Sequence, residues 1–359
     1  MTFNDVLEIK NGRNQKAVEN PDGRYPIYGS GGIMGHADDY ICEAETVIVG
    51  RKGSINNPIF VDEPCWNVDT AFGLTAKKDV LLPRYLYYFC KHFDFERLNK
   101  AVTIPSLTKS DLLKIEISLP GLDEQQKIVD KLQGVERVSF LHQREIAKLD
   151  ELIKARFVEM FGDPISNDKG WNTDPLTAVC SRIYGGGTPS KSHPEYFEGS
   201  IPWVSPKDMK SDVITDSIDH ITEEAIANST TNLVPEGSVL MVIRSGILKH
   251  DLPVSINAVP VTINQDMKAF VPGENITASF LRNYFKAIEL DVLAGVRGVT
   301  ADNIDFKAFQ QRKIIVPPIH LQEEFEDFCR QVDKSKVAVQ KSLDETQLLF
   351  NSLMQKYFG

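Results

Sequence analysis

Two stretches of the chain space their apolar residues by alternating steps of three and four positions. One follows Pro120 and the other follows Pro317. Such steps place side chains on one face of an α-helix, and their continuation over about five heptads is typical of a coiled-coil seam. Each stretch therefore predicts a helix of about 38 residues, ~57 Å long, which a compact domain cannot contain. The seam residues are Ile128, Leu132, Val135, Ile146, Leu149 and Ile153 in the first helix and Phe325, Val332, Leu343 and Phe350 in the second.

The two helices belong to an internal repeat. Residues 117–162 align with 314–359 without a gap. Identical pairs include Pro120 with Pro317, Gln125 with Gln322, Gln143 with Gln340 and Gly162 with Gly359. One such helix alone would suggest a dimerising coiled coil, whereas two matching seams in one chain can pair with each other. Because the first helix ends where the next globular segment begins, the second helix must run back antiparallel to the first.

The globular segments before the two helices also echo each other. Residues 46–54 resemble 238–246, and 67–69 resemble 264–266. Short apolar runs between Gly, Pro and Asn turns predict strands, followed by one or two short helices. The sequence therefore predicts an α+β protein with two related globular domains, two long antiparallel coiled-coil helices and internal pseudo-two-fold symmetry. The predicted divisions are a globular domain at 1–120, a central long helix at 121–162, a second globular domain at 163–316 and a C-terminal long helix at 317–359.

The composition is that of an ordinary globular protein, with 42% apolar and 25% charged residues. The five cysteines are scattered and form no C-x-x-C pair, so neither a disulfide framework nor a zinc knuckle is expected. The first residues carry acids where a secretory signal needs basic residues, and no apolar run approaches the ~18 residues of a membrane span. We therefore expect a protein of the reducing cytoplasm.

The charge balance argues against nucleic-acid binding by bulk electrostatics alone. Forty Lys and Arg face fifty Asp and Glu, which gives a net charge of -10. None of the four predicted segments is net basic. Since phosphate neutralisation dominates DNA affinity, a chain of this charge would bind DNA weakly by itself and would rely on partner subunits.

No catalytic or metal-binding constellation stands out in the sequence. The run 57–60 (Asn-Pro-Ile-Phe) lacks the second proline of the adenine methyltransferase motif. The run 29–35 is rich in glycine, but no G-K-[ST] exists to hold a nucleotide phosphate. The seven histidines form no H-E-x-x-H or similar zinc-ligand spacing. We therefore expect no catalytic residue, no metal and no cofactor on this chain.

Binding is the remaining chemistry, and its candidate residues lie on turns directly after strands. The loop 185–192 offers backbone amides, hydroxyls and an ammonium group, which suit phosphates or base edges. An arginine directly after an apolar strand can reach O6 and N7 of guanine. The bland alternative is a set of surface loops whose basic residues pair with nearby acids. The candidate DNA-binding residues are Arg51, Lys52, Ser54, Gly187, Thr188, Ser190, Lys191, Lys207, Arg244, Ser245 and Lys249.

The layout and several motifs resemble the specificity subunit of type I restriction-modification systems over the whole chain. The motifs are 186–190 (Gly-Gly-Thr-Pro-Ser), 196–209 (beginning Tyr-Phe-Glu-Gly-Ser), 264–266 (Asn-Gln-Asp), 104–108 (Ile-Pro-Ser-Leu-Thr) and the strand–helix junctions 119–125 and 316–323. The first globular segment departs from the family pattern, since it has the Gly-Ser-Gly-Gly run 29–32 where a G-x-T-P is expected after the first strand.

The resemblance implies a non-catalytic subunit that recognises double-stranded DNA. In such a subunit the two globular segments are target-recognition domains, and each reads one half of a bipartite target. The two helices set the spacing between the half-sites and dock two methyltransferase subunits, on which S-adenosylmethionine is expected. Restriction (endonuclease/translocase) subunits are further partners of the family, and the sequence leaves their presence open. The alternative from the residues alone is a non-catalytic two-headed protein-binding scaffold, which the acidic balance favours and the loop motifs do not.

Overall fold

The computed structural model divides the chain into two compact units. The described residues are 1–99, 103–296 and 302–359. The first unit contains residues 1–144 and 339–359, and the second contains 145–338. Each of the two long helices therefore contributes one part to each unit.

The first unit combines two small sheets with short helices. Its elements are α1 (Phe3–Val6), β1 (Leu7–Asn11), β2 (Tyr25–Gly29), β3 (Gly32–Ala37), β4 (Thr46–Gly50), β5 (Ile59–Val61), β6 (Trp66–Asn67), β7 (Ala71–Ala76), α2 (Pro83–His92), a 3-10 turn (Phe95–Leu98), α3 (Lys109–Leu112) and the beginning of α4 (Leu122–Phe161). One sheet is antiparallel in the order β1-β7-β4-β5, and the other has the order β3-β2-β6 with β2 parallel to β6. All five residues of β4 are buried, because this strand lies inside its sheet and α2 packs on it.

The second unit repeats this plan with a larger sheet. Its elements are β8 (Thr173–Pro175), α5 (Leu176–Val179), β9 (Cys180–Gly185), a 3-10 turn (Pro194–Phe197), β10 (Ile201–Val204), β11 (Val213–Ile214), β12 (His220–Ile221), α6 (Glu223–Ala227), β13 (Val239–Val242), a 3-10 turn (Gly246–Lys249), β14 (Val254–Asn257), β15 (Thr262–Ile263), β16 (Met267–Pro272), α7 (Ala278–Ala287), α8 (Glu289–Ala294), α9 (Phe306–Phe309), β17 (Lys313–Ile315) and α10 (Ile319–Phe358). The main sheet has the order β11-β14-β13-β16-β9, a second has the order β12-β10-β15, and β17 pairs with β8.

The long helices run antiparallel within each unit. In the first unit the beginning of α4 lies beside the end of α10, since Lys131 Nζ contacts the hydroxyl of Tyr357 at 3.4 Å. In the second unit the end of α4 lies beside the beginning of α10, with the rings of Phe157 and Phe325 centred 5.5 Å apart. The prediction of an α+β protein with two long antiparallel helices is therefore confirmed.

The predicted seam residues all lie on the inward faces of the helices. The buried ones are Ile128, Leu132, Ile153, Phe325, Val332 and Phe350, and the half-buried ones are Val135, Ile146, Leu149 and Leu343. The apolar cores of the two units each contain residues from both helices. Each helix is thus held by the core of a unit as well as by the opposite helix.

A buried glutamine near the start of each long helix ties the helix to the domain that precedes it. Gln322 Nε2 donates to the carbonyl oxygens of Asn275 (3.0 Å) and Pro317 (2.8 Å). Its Oε1 accepts the N–H of Thr277 (3.0 Å). Gln125, its partner in the sequence repeat, makes the same three types of hydrogen bond in the first unit. Because both side chains are fully buried and fully paired, each anchors its helix at a fixed place.

Candidate nucleic-acid interface

Four loops of the second unit meet at one edge of its sheets. β10 runs parallel to β15, so the turns that follow them, 205–210 and 264–266, lie at the same edge. β9 and β13 both pair with β16 directly after the second of these turns, which brings the loops 186–192 and 243–249 to the same place. We call these four loops the second-unit loop cluster. It contains all of the candidate residues predicted for this half of the chain.

Arg244 is held in the second-unit loop cluster by Asp266. Its Nε and Nη2 both lie 2.6 Å from Oδ1 of Asp266. Asn264 Nδ2 donates to the other carboxylate oxygen of Asp266 (3.3 Å), and Asn264 Oδ1 accepts the N–H of Asp266 (3.0 Å). The side chain of Arg244 is 47% exposed. The guanidinium is therefore fixed along one edge, and its Nη1 has no partner among the described residues.

Gln265 connects the glycine-containing loop to this ion pair. The hydroxyl of Thr188 donates to Gln265 Oε1, and Gln265 Nε2 donates to Asp266 Oδ2 (3.4 Å). In the sequence the run 264–266 marked the internal repeat and the family resemblance, but none of its residues was among the candidate DNA-binding residues. The sequence did carry a signal for this role. An amide and an acid stand directly before one strand, and an arginine stands directly after another strand of the same domain.

A cleft of about 790 Å³ opens beside Arg244. Its lining includes Gln265, Lys268, Asn303, Asp305 and Phe306, so it presents amides, cations and a carboxylate together with one ring. Lys268 Nζ lies 4.7 Å from the centre of the Phe306 ring. A cleft with this mixture of donors, acceptors and an aromatic face suits the edge of a base better than a purely apolar ligand.

Gly187 has a structural role that differs from the prediction. Its N–H donates to the carbonyl of Ile263 (3.0 Å), so this amide is not available to a phosphate. Gly187 is buried, and a Cβ at this position would lie 2.6 Å from the backbone N of Thr231. Its carbonyl accepts the indole N–H of Trp203 (3.1 Å). Gly187 is therefore required for close packing, and it holds the loop against the sheets.

Two of the predicted lysines are paired with acids. Lys207 Nζ lies 2.6 Å from Asp219, and this hydrogen bond raises the pKa of the Lys207 ammonium group. Lys249 Nζ lies 3.8 Å from Asp302. Lys191 is exposed, and no acid among the described residues lies within ion-pair distance of it. The alternative prediction, that basic residues of these loops pair with nearby acids, thus describes Arg244, Lys207 and Lys249 but not Lys191.

The two predicted serines of this cluster differ in their local bonding. The hydroxyl of Ser190 lies 2.7 Å from that of Ser192, and Ser190 is exposed. Ser245 accepts the N–H of Ile247 (3.4 Å) and so caps the 3-10 turn that carries Lys249. Ser190 remains accessible to a ligand, whereas Ser245 shapes the turn.

The first unit has a loop cluster of the same design. β2 runs parallel to β6, so the turns 29–32 and 68–70 lie at one edge. β1 and β4 pair with β7 directly after the second turn, which adds the loops 12–16 and 51–55. We call these four loops the first-unit loop cluster.

Lys52 and Arg244 occupy equivalent places in the two clusters. The N–H of Lys52 donates to the carbonyl of Thr70 (3.3 Å), and the N–H of Arg244 donates to the carbonyl of Asp266 (3.2 Å). Each of the two residues also forms a single antiparallel bridge, Lys52 to Ser106 and Arg244 to a residue of the corresponding later segment. The duplicated fold therefore presents a cation at the same position of each cluster.

This equivalence corrects the sequence alignment by one residue. The alignment paired 67–69 with 264–266 because both begin with asparagine. In the parallel pairs β2·β6 and β10·β15, however, Asn67 holds the position of Ile263. The backbone hydrogen bonds fix the register, whereas the matching asparagines do not.

The first-unit candidates are open to solvent. Arg51, Lys52 and Ser54 are all exposed. Arg51 Nη1 lies 3.5 Å from the carbonyl of Asp69, and its guanidinium lies 5.8 Å from the centre of the Phe72 ring. Within the described part of the chain no acid lies within ion-pair distance of Lys52. This cluster therefore carries two accessible cations on one short loop.

The glycine run 29–32 is the turn between β2 and β3, and it does not follow the first strand as predicted. The first strand is followed by Gly12, which packs against the carbonyl of Val68. Gly186 packs in the same way against the carbonyl of Asn264. A Cβ at either position would overlap the carbonyl oxygen, so both loops need glycine where they cross the neighbouring turn.

No three His, Cys, Asp or Glu side chains in the described ranges lie close enough together to hold a metal ion. No helix in those ranges is long and apolar enough to cross a membrane.

The family model of the type I restriction modification DNA specificity domain matches residues 1–151 and 168–346. The chain therefore belongs to this family, and the resemblance found in the sequence is confirmed. It is 42% identical over 153 residues to the EcoR124I/EcoR124II specificity subunit of Escherichia coli, a match that covers 42% of this chain and 38% of that protein. It is 24% identical over 335 residues to the MjaIX specificity subunit of Methanocaldococcus jannaschii, which covers 86% of this chain and 74% of that protein.

Solved structures share the fold. The type I restriction-modification S subunit from M. genitalium aligns with a TM-score of 0.61 at 17% identity, covering 100% of this chain and 95% of that one. A chain from a structure on complex assembly and conformational transition of the type I R-M system aligns with a TM-score of 0.60 at 19% identity, covering 100% and 96%. At these identities the likeness concerns the fold.

Proposed function

We propose that the chain is the DNA-reading subunit of a type I restriction-modification complex. Each loop cluster reads one half of a bipartite double-stranded target. The observation that carries the proposal is the placement of Lys52 and Arg244 at equivalent positions of a duplicated fold. Membership of the DNA specificity family supports it. The target-recognition domains are the segments 1–120 and 163–316.

The bases are contacted by side chains that are both held in position and exposed. Arg244 can donate from two nitrogens to O6 and N7 of a guanine, and Asp266 holds the guanidinium in one plane for that contact. In the first unit, Arg51 and Lys52 lie on a single loop that can follow one groove. Thr188 and Gln265 place the neighbouring loop at a fixed distance from Arg244.

Phosphate contacts position the protein along the duplex. Ser54, Ser190 and Lys191 are exposed hydroxyl and ammonium groups that suit phosphate oxygens. Lys207 and Lys249 also contact phosphate oxygens once DNA displaces Asp219 and Asp302 from their ion pairs. Because the chain carries a net charge of -10, these few contacts are too weak to hold DNA alone, and partner subunits supply the remaining positive charge.

The long helices, at 121–162 and 317–359, form the part of the subunit that faces its partners. Their ten seam residues pair the helices, so that the outer faces are available to two methyltransferase subunits and the helix length sets the spacing between half-sites. S-adenosylmethionine, methyl transfer and any cleavage by restriction subunits belong to the partners. We place this assembly in the cytoplasm.

The test is sequence selection by the assembled complex. The chain is purified together with methyltransferase subunits, and bound duplexes are recovered from randomised DNA. The proposal predicts two short conserved blocks separated by a gap of fixed length. Recovery of a single block, or of no preferred sequence by a complex that has assembled, would contradict it.

A further inference from the structure

Two adjacent apolar side chains project from the first unit into solvent. Ile33 is 62% exposed and Met34 is 61% exposed. Both lie on β3, directly after the tight turn in which Gly29 pairs with Gly32. Neighbouring residues of a regular strand point to opposite faces, so that one of the two would normally be covered by the sheet. Their joint exposure therefore needs a structural cause.

A β-bulge causes this exposure. Ile27 pairs with Gly35 and Tyr28 pairs with Ile33, which leaves Met34 as an extra residue in β3. A bulge redirects a side chain and occurs often next to binding sites. The bulge therefore breaks the strand's alternation at Met34, which is exposed together with its neighbour Ile33.

The hairpin tip belongs to the first-unit loop cluster. A Cβ added at Gly50 would lie 3.0 Å from Cβ of Ser30, the first residue of the turn. A Cβ added at Gly29 would lie 2.6 Å from Sδ of Met34 and 3.7 Å from Cγ2 of Val68. Met34 thus lies against Gly29, and the tip lies beside the loop that carries Arg51 and Lys52. The apolar pair is continuous with the cationic surface.

We propose that Ile33 and Met34 contact the 5-methyl group of thymine in the major groove of the first half-site. This inference rests on the proposed function and deepens it. Among the surfaces that DNA offers beside its phosphates, the thymine methyl is the apolar group of the major groove. The major groove is about 12 Å wide and admits a two-stranded β-ribbon, whereas the minor groove is only about 6 Å wide and displays no methyl group.

The second unit has no such hairpin. β10 and β12 hold the places of β2 and β3, but the segment 205–219 connects them instead of a two-residue turn. That segment carries Lys207 and Asp208 near its start and the exposed Ile218 near its end, so the hairpin tip formed by Ile33 and Met34 belongs to the first unit. The contact proposed for Ile33 and Met34 is therefore with the first half-site.

The experiment replaces thymine by uracil, which removes only the methyl group. The assembled complex is titrated with duplexes of its selected sequence in which each thymine in turn is uracil. We expect at least one position in the first half-site where uracil weakens binding about fourfold, the scale of one buried methyl-sized group. The double variant Ile33→Ser/Met34→Ser should bind thymine and uracil duplexes equally, while Met34→Leu should keep the preference.

Specific binding of the thymine duplex with no loss at any uracil position overturns the inference and leaves the proposed function intact. A uracil effect that persists in the Ser/Ser variant also overturns it, because the methyl would then be read by other residues. Absence of any sequence-specific binding by the assembled wild-type complex is the different result that defeats the proposed function itself. Uracil in the second half-site is the matched control, and it should change the affinity of wild type and Ser/Ser variant alike.

Discussion

Two nitrogens of Arg244 contact a single oxygen of Asp266, since Nε and Nη2 both lie 2.6 Å from Oδ1. A guanidinium bound along one edge keeps its plane, and this removes rotamer freedom that base recognition would otherwise cost. The second carboxylate oxygen is itself held by Asn264. Asp266 is therefore a positioning residue for the group that we assign to base reading.

Asp266→Asn should reduce the preference for the specific sequence without reducing the affinity for DNA of random sequence. The amide is a poorer partner for Arg244, so the arginine loses its fixed orientation, and we expect a loss of about tenfold in preference at one base pair of the second half-site. Removal of one negative charge beside the DNA should slightly strengthen binding to random sequence. Competition titrations of specific against random duplexes measure both effects. Glu274→Gln removes an exposed charge outside the cluster and should leave the preference unchanged.

Gln322→Ala should destabilise the second unit by about 3 kcal/mol. The substitution leaves the N–H of the half-buried Thr277, the carbonyl of the buried Pro317 and the carbonyl of Asn275 without this partner. Each buried group left unsatisfied costs about 1–3 kcal/mol. Urea unfolding gives the free energy of unfolding. Gln331→Ala, at an exposed position of the same helix, is the control and should change it by less than about 0.5 kcal/mol. Equal effects of the two variants would mean that the anchor is not structural.

Acid should weaken the second unit through Asp212. Burial raises the pKa of this carboxyl, but Arg282 and Lys336 outweigh burial and hold the pKa below its usual range. A lowered pKa stabilises the fold above the unfolded value of about 3.9, and this contribution is lost as pH falls through the lower folded value. Asp212→Asn should therefore be less stable than wild type at pH 6, and the difference should shrink below about pH 4.

Lys336 belongs to the same ion-pair network, and its contribution to stability depends on pH in the opposite direction. Burial lowers the pKa of Lys336, but hydrogen bonds and charge from Asp150 and Asp212 raise it above its usual value. Its contribution is present below the unfolded pKa of about 10.4 and is lost as pH rises through the higher folded value. Urea midpoints at pH 3 and 6 measure the dependence on Asp212, and midpoints at pH 9 and at about pH 11 measure the dependence on Lys336. A Lys336→Met variant that matches wild type at pH 9 would contradict this account.

The long helices could be predicted from sequence because their signal is local and occurs twice. Ile128 and Leu132 lie one helical turn apart, and such spacing needs no knowledge of distant residues. The loop clusters were harder to predict because their residues meet through strand pairing. The matching letters of Asn67 and Asn264 gave an alignment shifted by one residue, since backbone hydrogen bonds set the register.

The chemistry of single loop residues could not be read from the sequence either. Gly187 looked like a flexible amide donor, yet the carbonyl of Ile263 already accepts its N–H. The sequence left open whether Arg244 contacts a base or pairs with an acid, and the structure shows Asp266 against it. Ile33 and Met34 carried no signal, because their shared exposure depends on a bulge that only the pairing of β2 with β3 reveals.

The isolated chain is expected to bind no S-adenosylmethionine, because the account assigns cofactor and methyl transfer to partner subunits. Isothermal calorimetry at a concentration well above micromolar is the measurement. The assembled complex serves as the positive control and should bind the cofactor. Saturable binding to the chain alone would contradict the assignment.

If each unit reads its own half of the target, two matched variants should alter different halves of the selected sequence. Assembled complexes carrying Lys52→Ala or Arg244→Ala select duplexes from randomised DNA. The account predicts that Lys52→Ala relaxes the preference in one conserved block and Arg244→Ala relaxes it in the other, with a cost of about 1–3 kcal/mol at the affected base pair for Arg244. The gap between the blocks should stay the same. Relaxation of the same block by both variants, or unchanged preferences in both blocks, would contradict the claim.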